Sequence, residues 1–171
     1  MLKESVAALL VRQVNAEFFS SHLYLDLANW CEHKGYDGFA NWYEVQALEE
    51  RDHAMLFYHY LHNNDAEVVL DAIPQPNQSF AGLGEVLEAG LKHERYVTAL
   101  INHLYDEAQQ AKDFRTVQFL DWFVREQGEE ETSATDLITK FGLYGGDPKG
   151  LYLLNTELKA RAYAAPTLTL V

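Results

Sequence analysis

Four stretches of this chain carry apolar or neutral residues at alternating spacings of three and four, and near its middle each run is broken by a carboxylate. The first runs Leu10, Val14, Glu17, Ser21, Tyr24, Ala28. The second runs Phe39, Tyr43, Gln46, Glu50, His53, Phe57. The third runs Leu83, Leu87, Gly90, Glu94, Val97, Ile101, and the fourth Leu120, Phe123, Gln127, Glu130, Ala134, Leu137. That spacing belongs to the interior seam of a helical bundle. It predicts an all-α four-helix bundle, with helices over about 5–34, 37–64, 80–111 and 113–141. Gly35 ends the first, Asp113 caps the fourth, and Gly142, Gly145 and Gly146 end it. Asp147-Pro148 opens a short fifth helix over about 148–160. The whole chain, 1–171, reads as one domain.

The connections between helices one and two and between three and four are short, as in antiparallel hairpins. The segment 65–79, with Pro74 and Pro76, cannot be regular helix. At the extended-chain rise it can stretch roughly 50 Å, the full length of a bundle. A hairpin has no need of that reach, so the second and third helices are expected to be parallel, joined by a crossover.

Height along the bundle then locates the chemistry. Residues equidistant from a hairpin turn lie at one level. The midpoint of Glu17 and Glu50 falls at the first turn, and those of Glu94 with Gln127 and with Glu130 fall at the second. At about 1.5 Å per residue each lies roughly 25 Å from its turn. Four polar interruptions therefore share one layer. Unpaired buried charge costs several kcal/mol per ion, and no Lys or Arg sits on these seams near the layer. A pair of divalent metals is the economical counter-charge. Helix bundles build di-iron sites from lone glutamates plus Glu-x-x-His, and Glu50-Arg51-Asp52-His53 is such a motif. Oxygen-rich ligands with one imidazole suit iron better than structural zinc. Beside the seams stand Glu49, Glu126 and Glu129, which are either a solvated acidic face or ligands of a third iron. His22, His33, His59, His62, His93 and His103 have no comparable register and read as surface or flank residues.

Bulk properties exclude other classes. A net charge of −13 argues against nucleic-acid partners, which need a basic face. A single cysteine, Cys31, permits neither a disulfide framework nor a cysteine metal site. No apolar run reaches the roughly 20 residues of a membrane span, and no secretory signal is visible. The sequon Asn77-Gln78-Ser79 is read as chance. A cytoplasmic location, or an organelle stroma after removal of a transit peptide, is expected.

Over nearly its whole length the chain resembles bacterial non-haem ferritins. The residues that carry the likeness are Met1-Leu2-Lys3, Glu17 with Tyr24, Glu49-Glu50-Arg51-Asp52-His53, Glu94, the stretch FLDWFVREQGEEE at 119–131, and Gly150-Leu151-Tyr152. The resemblance implies a ferroxidase centre in which Glu17, Glu50 and His53 bind one iron, Glu50 bridges, and Glu94 binds the second. Gln127 and Glu130 would lie close by. It implies a third site at Glu49, Glu126, Glu129 and Glu130, with Tyr24 and Trp122 as neighbouring aromatics. It also implies Fe(II) with O2 or H2O2 as reactants, and 24-subunit shells that store ferric mineral, with the fifth helix around a symmetry axis. Arg51 stands where related bacterioferritins have a methionine haem ligand, so no haem is expected. Gln127-Gly128-Glu129-Glu130 stands where those proteins repeat Glu-x-x-His. The tail 161–171 is rather apolar, and its path is open. A di-iron oxidase or oxygenase acting on an organic substrate is the competing enzymatic reading. A purely structural bundle is the non-enzymatic one.

Overall fold

A computed structural model describes residues 2–169. Met1 of the N-terminal motif and the last two residues of the tail lie outside the described residues. Among the described residues there are five helices: α1 (Glu4–His33), α2 (Asp37–Asn63), α3 (Leu83–Gln110), α4 (Phe114–Tyr144) and α5 (Pro148–Leu158).

The turns follow from local hydrogen bonding. After α1, the Gly35 amide donates to the Glu32 carbonyl and that of Tyr36 to the Cys31 carbonyl. This paired C-terminal closure needs a left-handed residue, and Gly35 supplies it at φ +81°. The same closure ends α3 at Lys112, φ 56°. Asp113 then caps α4: one carboxylate oxygen accepts from the Thr116 amide at 3.2 Å and the other from the Thr116 hydroxyl at 2.8 Å. Asp147 caps α5 by accepting from the Gly150 amide at 2.7 Å, with Pro148 in the first turn.

Boundaries shift modestly from the sequence expectation. Gly142 does not end α4, which continues to Tyr144. A glycine inside a helix costs only about 1 kcal/mol, and the packing of Phe141 against the bundle end offsets it. Helix α3 starts at Leu83, three residues later than expected, because Gly82 is extended.

Cross-helix contacts fix the directions. Tyr24 and Ser20 of α1 reach Gly90 and His93 of α3, so sequence rises in one helix as it falls in the other. Gln46 reaches Glu130, Phe57 stacks on Phe123, and Tyr60 meets Thr116, so α2 and α4 are also antiparallel. With α1 and α2 a hairpin, α2 and α3 run the same way, as a crossover requires. The connection crosses the outside of α1, where Asn15 clamps it: its amide donates to the Val69 carbonyl at 2.9 Å, and its oxygen accepts from the Asp71 amide at 2.8 Å.

The core is two apolar clusters rather than one. The first gathers Leu23, Tyr24, Leu27, Phe39, Tyr43, Leu87 and Leu137, together with Leu154 and Leu158 of α5. The second gathers Val6, Leu10, Val14, Phe57, Val97, Ile101, Leu120 and Phe123. Between them lies a belt of buried polar side chains: Gln13, Glu17, Gln46, Glu50, His53, Glu94, Gln127 and Glu130. At about 25 cal/mol per Å² the flanking clusters supply the stability, so the belt must be retained for another reason.

Helix α5 is anchored to the start of α2. Tyr36 provides no side-chain cap there. Instead the Asn155 oxygen accepts from the Gly38 and Phe39 amides at 2.8 and 3.3 Å, and the Asn155 amide donates to Asp37 at 2.7 Å. The approach requires glycine, since a Cβ at Gly38 would stand 1.7 Å from the Asn155 carbonyl oxygen.

Candidate metal centre

Each long helix brings its carboxylate to the belt, and three groups converge. Glu17, Glu50 and His53 each offer a ligand atom within 4.8 Å of the others. All three are buried, at 1, 1 and 2 % exposure. Glu50 and His53 reach one point because three residues along a helix return to nearly the same face; His53 Nδ1 lies 3.4 Å from a Glu50 oxygen. Glu17 enters from α1, held by Gln13, whose amide donates to its Oε1 at 2.8 Å.

Glu94 and Glu130 approach from α3 and α4. Glu94 accepts from the Tyr24 hydroxyl and from Gln127 Nε2 at 3.2 Å. Gln127 Nε2 also faces the Glu94 carbonyl and the Thr98 hydroxyl, both at 3.3 Å. Glu130 accepts from Gln46 Nε2 at 2.8 Å. The amides at 13, 46 and 127 thus orient one carboxylate each.

These donors do not saturate the oxygens. Among the described residues Glu17 Oε2 and both oxygens of Glu50 are buried without a hydrogen-bond partner. Such orphans are rare in folded proteins and imply something else in the site. Electrostatics agree. Burial, then the neighbouring Glu50, holds the Glu17 carboxyl well above the usual range. Burial, then Glu94 and Glu130, does the same for Glu50. Burial, with Glu130 next, pushes Glu94 up to about 8, and burial raises Glu130. The metal-free belt therefore resists ionisation, and a cation placed among these oxygens reverses both the desolvation cost and the repulsion.

Glu49, Glu126 and Glu129 sit apart from this cluster, around a recess between α2 and α4. They line a cavity of about 430 Å³ with His53, Trp122 and Arg125, walled on its far side by Ala164, Ala165, Pro166 and Thr167. Glu126 Oε1 is 3.9 Å from His53 Nε2, which makes the imidazole the partition between belt and recess. Glu129 is exposed. Glu49 is bound to Arg161 at 2.7 Å. The Trp122 ring meets His53 edge to face, 5.5 Å between centroids, and Tyr24 is 1 % exposed and stacked on Tyr43.

Of the six histidines expected at surface or flank positions, one lies on a buried flank. His93 is not a surface residue: it is buried, its Nε2 lies 2.8 Å from the Ser20 hydroxyl, and its ring meets Tyr24 edge-on. Burial lowers its pKa to about 4, so the imidazole is neutral at pH 7. Position 93 lies three residues beyond Gly90, on the flank of α3 that faces α1. The other five histidines are exposed. Sequence reasoning also gave no role to Gln13, although it lies four residues from Glu17 and so on the same face, or to Arg161.

Comparison with known proteins agrees with this geometry. The chain matches the ferritin-like domain family over residues 7–143. It is 38 % identical over 158 residues to a probable bacterial non-haem ferritin-like protein of Haemophilus influenzae, covering 92 % of this chain and 96 % of that one. It is 38 % identical over 163 residues to the bacterial non-haem ferritin of Staphylococcus epidermidis, covering 95 and 98 %. Among solved structures, a closed form of the Archaeoglobus fulgidus ferritin engineered by mutagenesis superposes with a TM-score of 0.93 at 38 % identity, covering 96 % of this chain and all of that one. The open-pore ferritin of the same archaeon gives 0.92 at 38 % identity, covering 94 and 98 %. With the ferritin-like domain matched over residues 7–143 and relatives 38 % identical over more than nine tenths of its length, the chain belongs to the ferritin family.

Proposed function

We propose that this chain is an iron-storage ferritin subunit that oxidises Fe(II) to Fe(III) in the belt and passes the product to a mineral held inside a 24-subunit shell. The observation that carries the reading is the set of buried oxygens on Glu17 and Glu50 that lack a hydrogen-bond donor, on side chains whose ligand atoms converge with that of His53.

Iron is here a substrate, and the residues divide the work. Glu17 and His53 bind one Fe(II), Glu94 binds the other, and Glu50 bridges the two. Gln127 and Glu130 complete the surroundings. Bridging matters because the oxidant takes two electrons, one from each metal, in a single encounter. With two protons, O2 then leaves as H2O2, or H2O2 leaves as two waters. Tyr24, donating to Glu94, holds that carboxylate toward the centre. Glu49, Glu126 and Glu129, with Glu130, form a third site on the path out. No haem takes part. Acidic surroundings draw Fe(II) inward.

Residues 1–171 act as one functional domain, in the cytoplasm. Among the described residues no helix is long and apolar enough to cross a membrane.

The test is stopped-flow absorbance after aerobic mixing with Fe(II). A fast ferric signal is expected at two Fe(II) per subunit. Glu50→Ala combined with His53→Ala should reduce it to the rate of free solution, and an unchanged rate in that variant removes the mechanism. A particle of shell size by gel filtration is expected, whereas a monomer or dimer points to an oxygenase.

A further inference from the structure

The segment after α5 does not trail away. Asn41 of α2 donates to the carbonyls of Leu158 and Arg161, at 3.1 and 3.0 Å. The Arg161 guanidinium lies 4.1 Å from the centre of the Trp42 ring, donates to the Trp42 carbonyl at 3.1 Å, and binds Glu49 at 2.7 Å. Farther along, the Tyr163 hydroxyl donates to Asp52, the Trp122 indole N–H donates to the Thr167 hydroxyl at 3.2 Å, and Leu168 packs on the second apolar cluster. The tail is thus tied down at both ends and the middle. It passes across the mouth of the acidic recess and forms its outer wall.

We propose that residues 161–169 are a strap over the recess, and that Arg161 is its resident cation. By occupying Glu49, Arg161 excludes a third metal until the strap lifts. The inference rests on the reading of the belt as the iron-oxidising centre and concerns how metal leaves it.

The physical case is one of competition. Arg161 and Glu49 are 21 and 19 % exposed, so their pair is shielded from water and salt far more than a surface bridge. The guanidinium is also held over Trp42, a position favoured by the negative ring face. A metal arriving at Glu49 must displace a cation fixed in three ways. The other tail anchors are weaker: one neutral hydrogen bond to Trp122, one hydroxyl to Asp52, and a single apolar side chain. Lifting the strap from Thr167 back toward Arg161 costs little, and Arg161 is the last point to release. Traffic through the recess therefore depends on the state of one arginine that is not itself a ligand.

The experiment measures anaerobic Fe(II) binding by the assembled protein, by equilibrium dialysis, for wild type, Arg161→Gln, Arg161→Lys, Glu49→Gln, and Arg161→Gln combined with Glu49→Gln. Wild type should bind two Fe(II) per subunit tightly and a third at least tenfold more weakly. Arg161→Gln should tighten the third by tenfold or more. Arg161→Lys should remain close to wild type, since a charge at Glu49 is kept. In the Glu49→Gln background Arg161→Gln should have no effect on the third metal. A third-metal affinity unmoved by Arg161→Gln overturns the strap. So does a gain that persists without the Glu49 carboxylate, because the arginine would then act only through the fold. Absence of the two tight irons in wild type is a separate failure, that of the belt reading.

Discussion

The Tyr24 hydroxyl donates to the carboxylate of Glu94, joining α1 to α3 at the level of the belt. Neither group has water to fall back on, since both are 1 % exposed. Burial, then Glu94, holds the Tyr24 phenol well above its usual range, so the proton stays on the tyrosine and Glu94 remains the acceptor. Tyr24→Phe should cost about 1 kcal/mol of stability, the ordinary value of one buried hydrogen bond. It should slow Fe(II) oxidation by about tenfold, because Glu94 keeps only Gln127 to orient it. Thermal melting and stopped-flow oxidation check the two effects. A normal rate would show that Gln127 alone positions the carboxylate.

The stability of the metal-free protein should fall between pH 6.5 and 8. Glu94 has a folded pKa of about 8 against an unfolded 4.5. The native state therefore keeps a proton that the unfolded chain has lost, and stability is highest below pH 4.5 and declines as pH rises through about 8. His93 runs the other way: its folded pKa of about 4 against 6.5 removes stability as pH drops below 6.5. Above pH 6.5 most of the His93 contribution has already been regained, and the carboxylates dominate the slope. Glu94 alone should then cost on the order of 2 kcal/mol across that window, at about 1.4 kcal/mol per pH unit. Urea unfolding at a series of pH values measures the slope, and Glu94→Gln should flatten it.

A redox-inert divalent ion should reverse that loss. With Zn(II) or Co(II) at about 100 times its dissociation constant, binding to the native state alone adds about 2.7 kcal/mol. For a chain of this size that raises Tm by roughly 5–10 °C. The pH dependence between 6.5 and 8 should also vanish, because the carboxylates are then ionised in both states. Calorimetry with and without metal tests both statements. Glu50→Ala should abolish the shift, and a shift that survives it would move the site away from the bridging position.

Below the belt, Phe57 stacks on Phe123 at 4.2 Å and meets Phe119 edge-on at 5.3 Å. Phe123 in turn meets His53 edge-on at 5.8 Å, so this aromatic group is the floor on which the imidazole rests. Phe57→Ala should cost about 3–5 kcal/mol. Metal affinity should fall as well, although no ligand is changed. Denaturant unfolding and metal titration of the same variant separate the two losses, and undiminished affinity would show that His53 is held by its own helix.

The seam pattern carried much of this arrangement because helical period and hairpin symmetry are local rules. Glu17, Glu50, Glu94 and Glu130 could be set at one height from chain position alone, and the long 65–79 connection implied the crossover. Contacts off the seams were not legible in that way. His93 pairs with Ser20, and neither belongs to a seam, so only the rotation of α1 against α3 brings them together. The path of 161–169 is set by scattered hydrogen bonds without any period to read. Gln13 was accessible in principle: an amide four residues from a buried glutamate on one helix is well placed to orient it.

Asn155 completes the first turn of α2 by accepting from an amide 117 residues earlier in the chain. During synthesis from the N-terminus, α1 through α4 can therefore emerge and begin to pack while the leading amides of α2 still lack this acceptor. Only when α5 leaves the ribosome does that end of the bundle close. A subunit cut short before Asn155 would keep every residue of the belt and yet leave the leading amides of α2 without this acceptor.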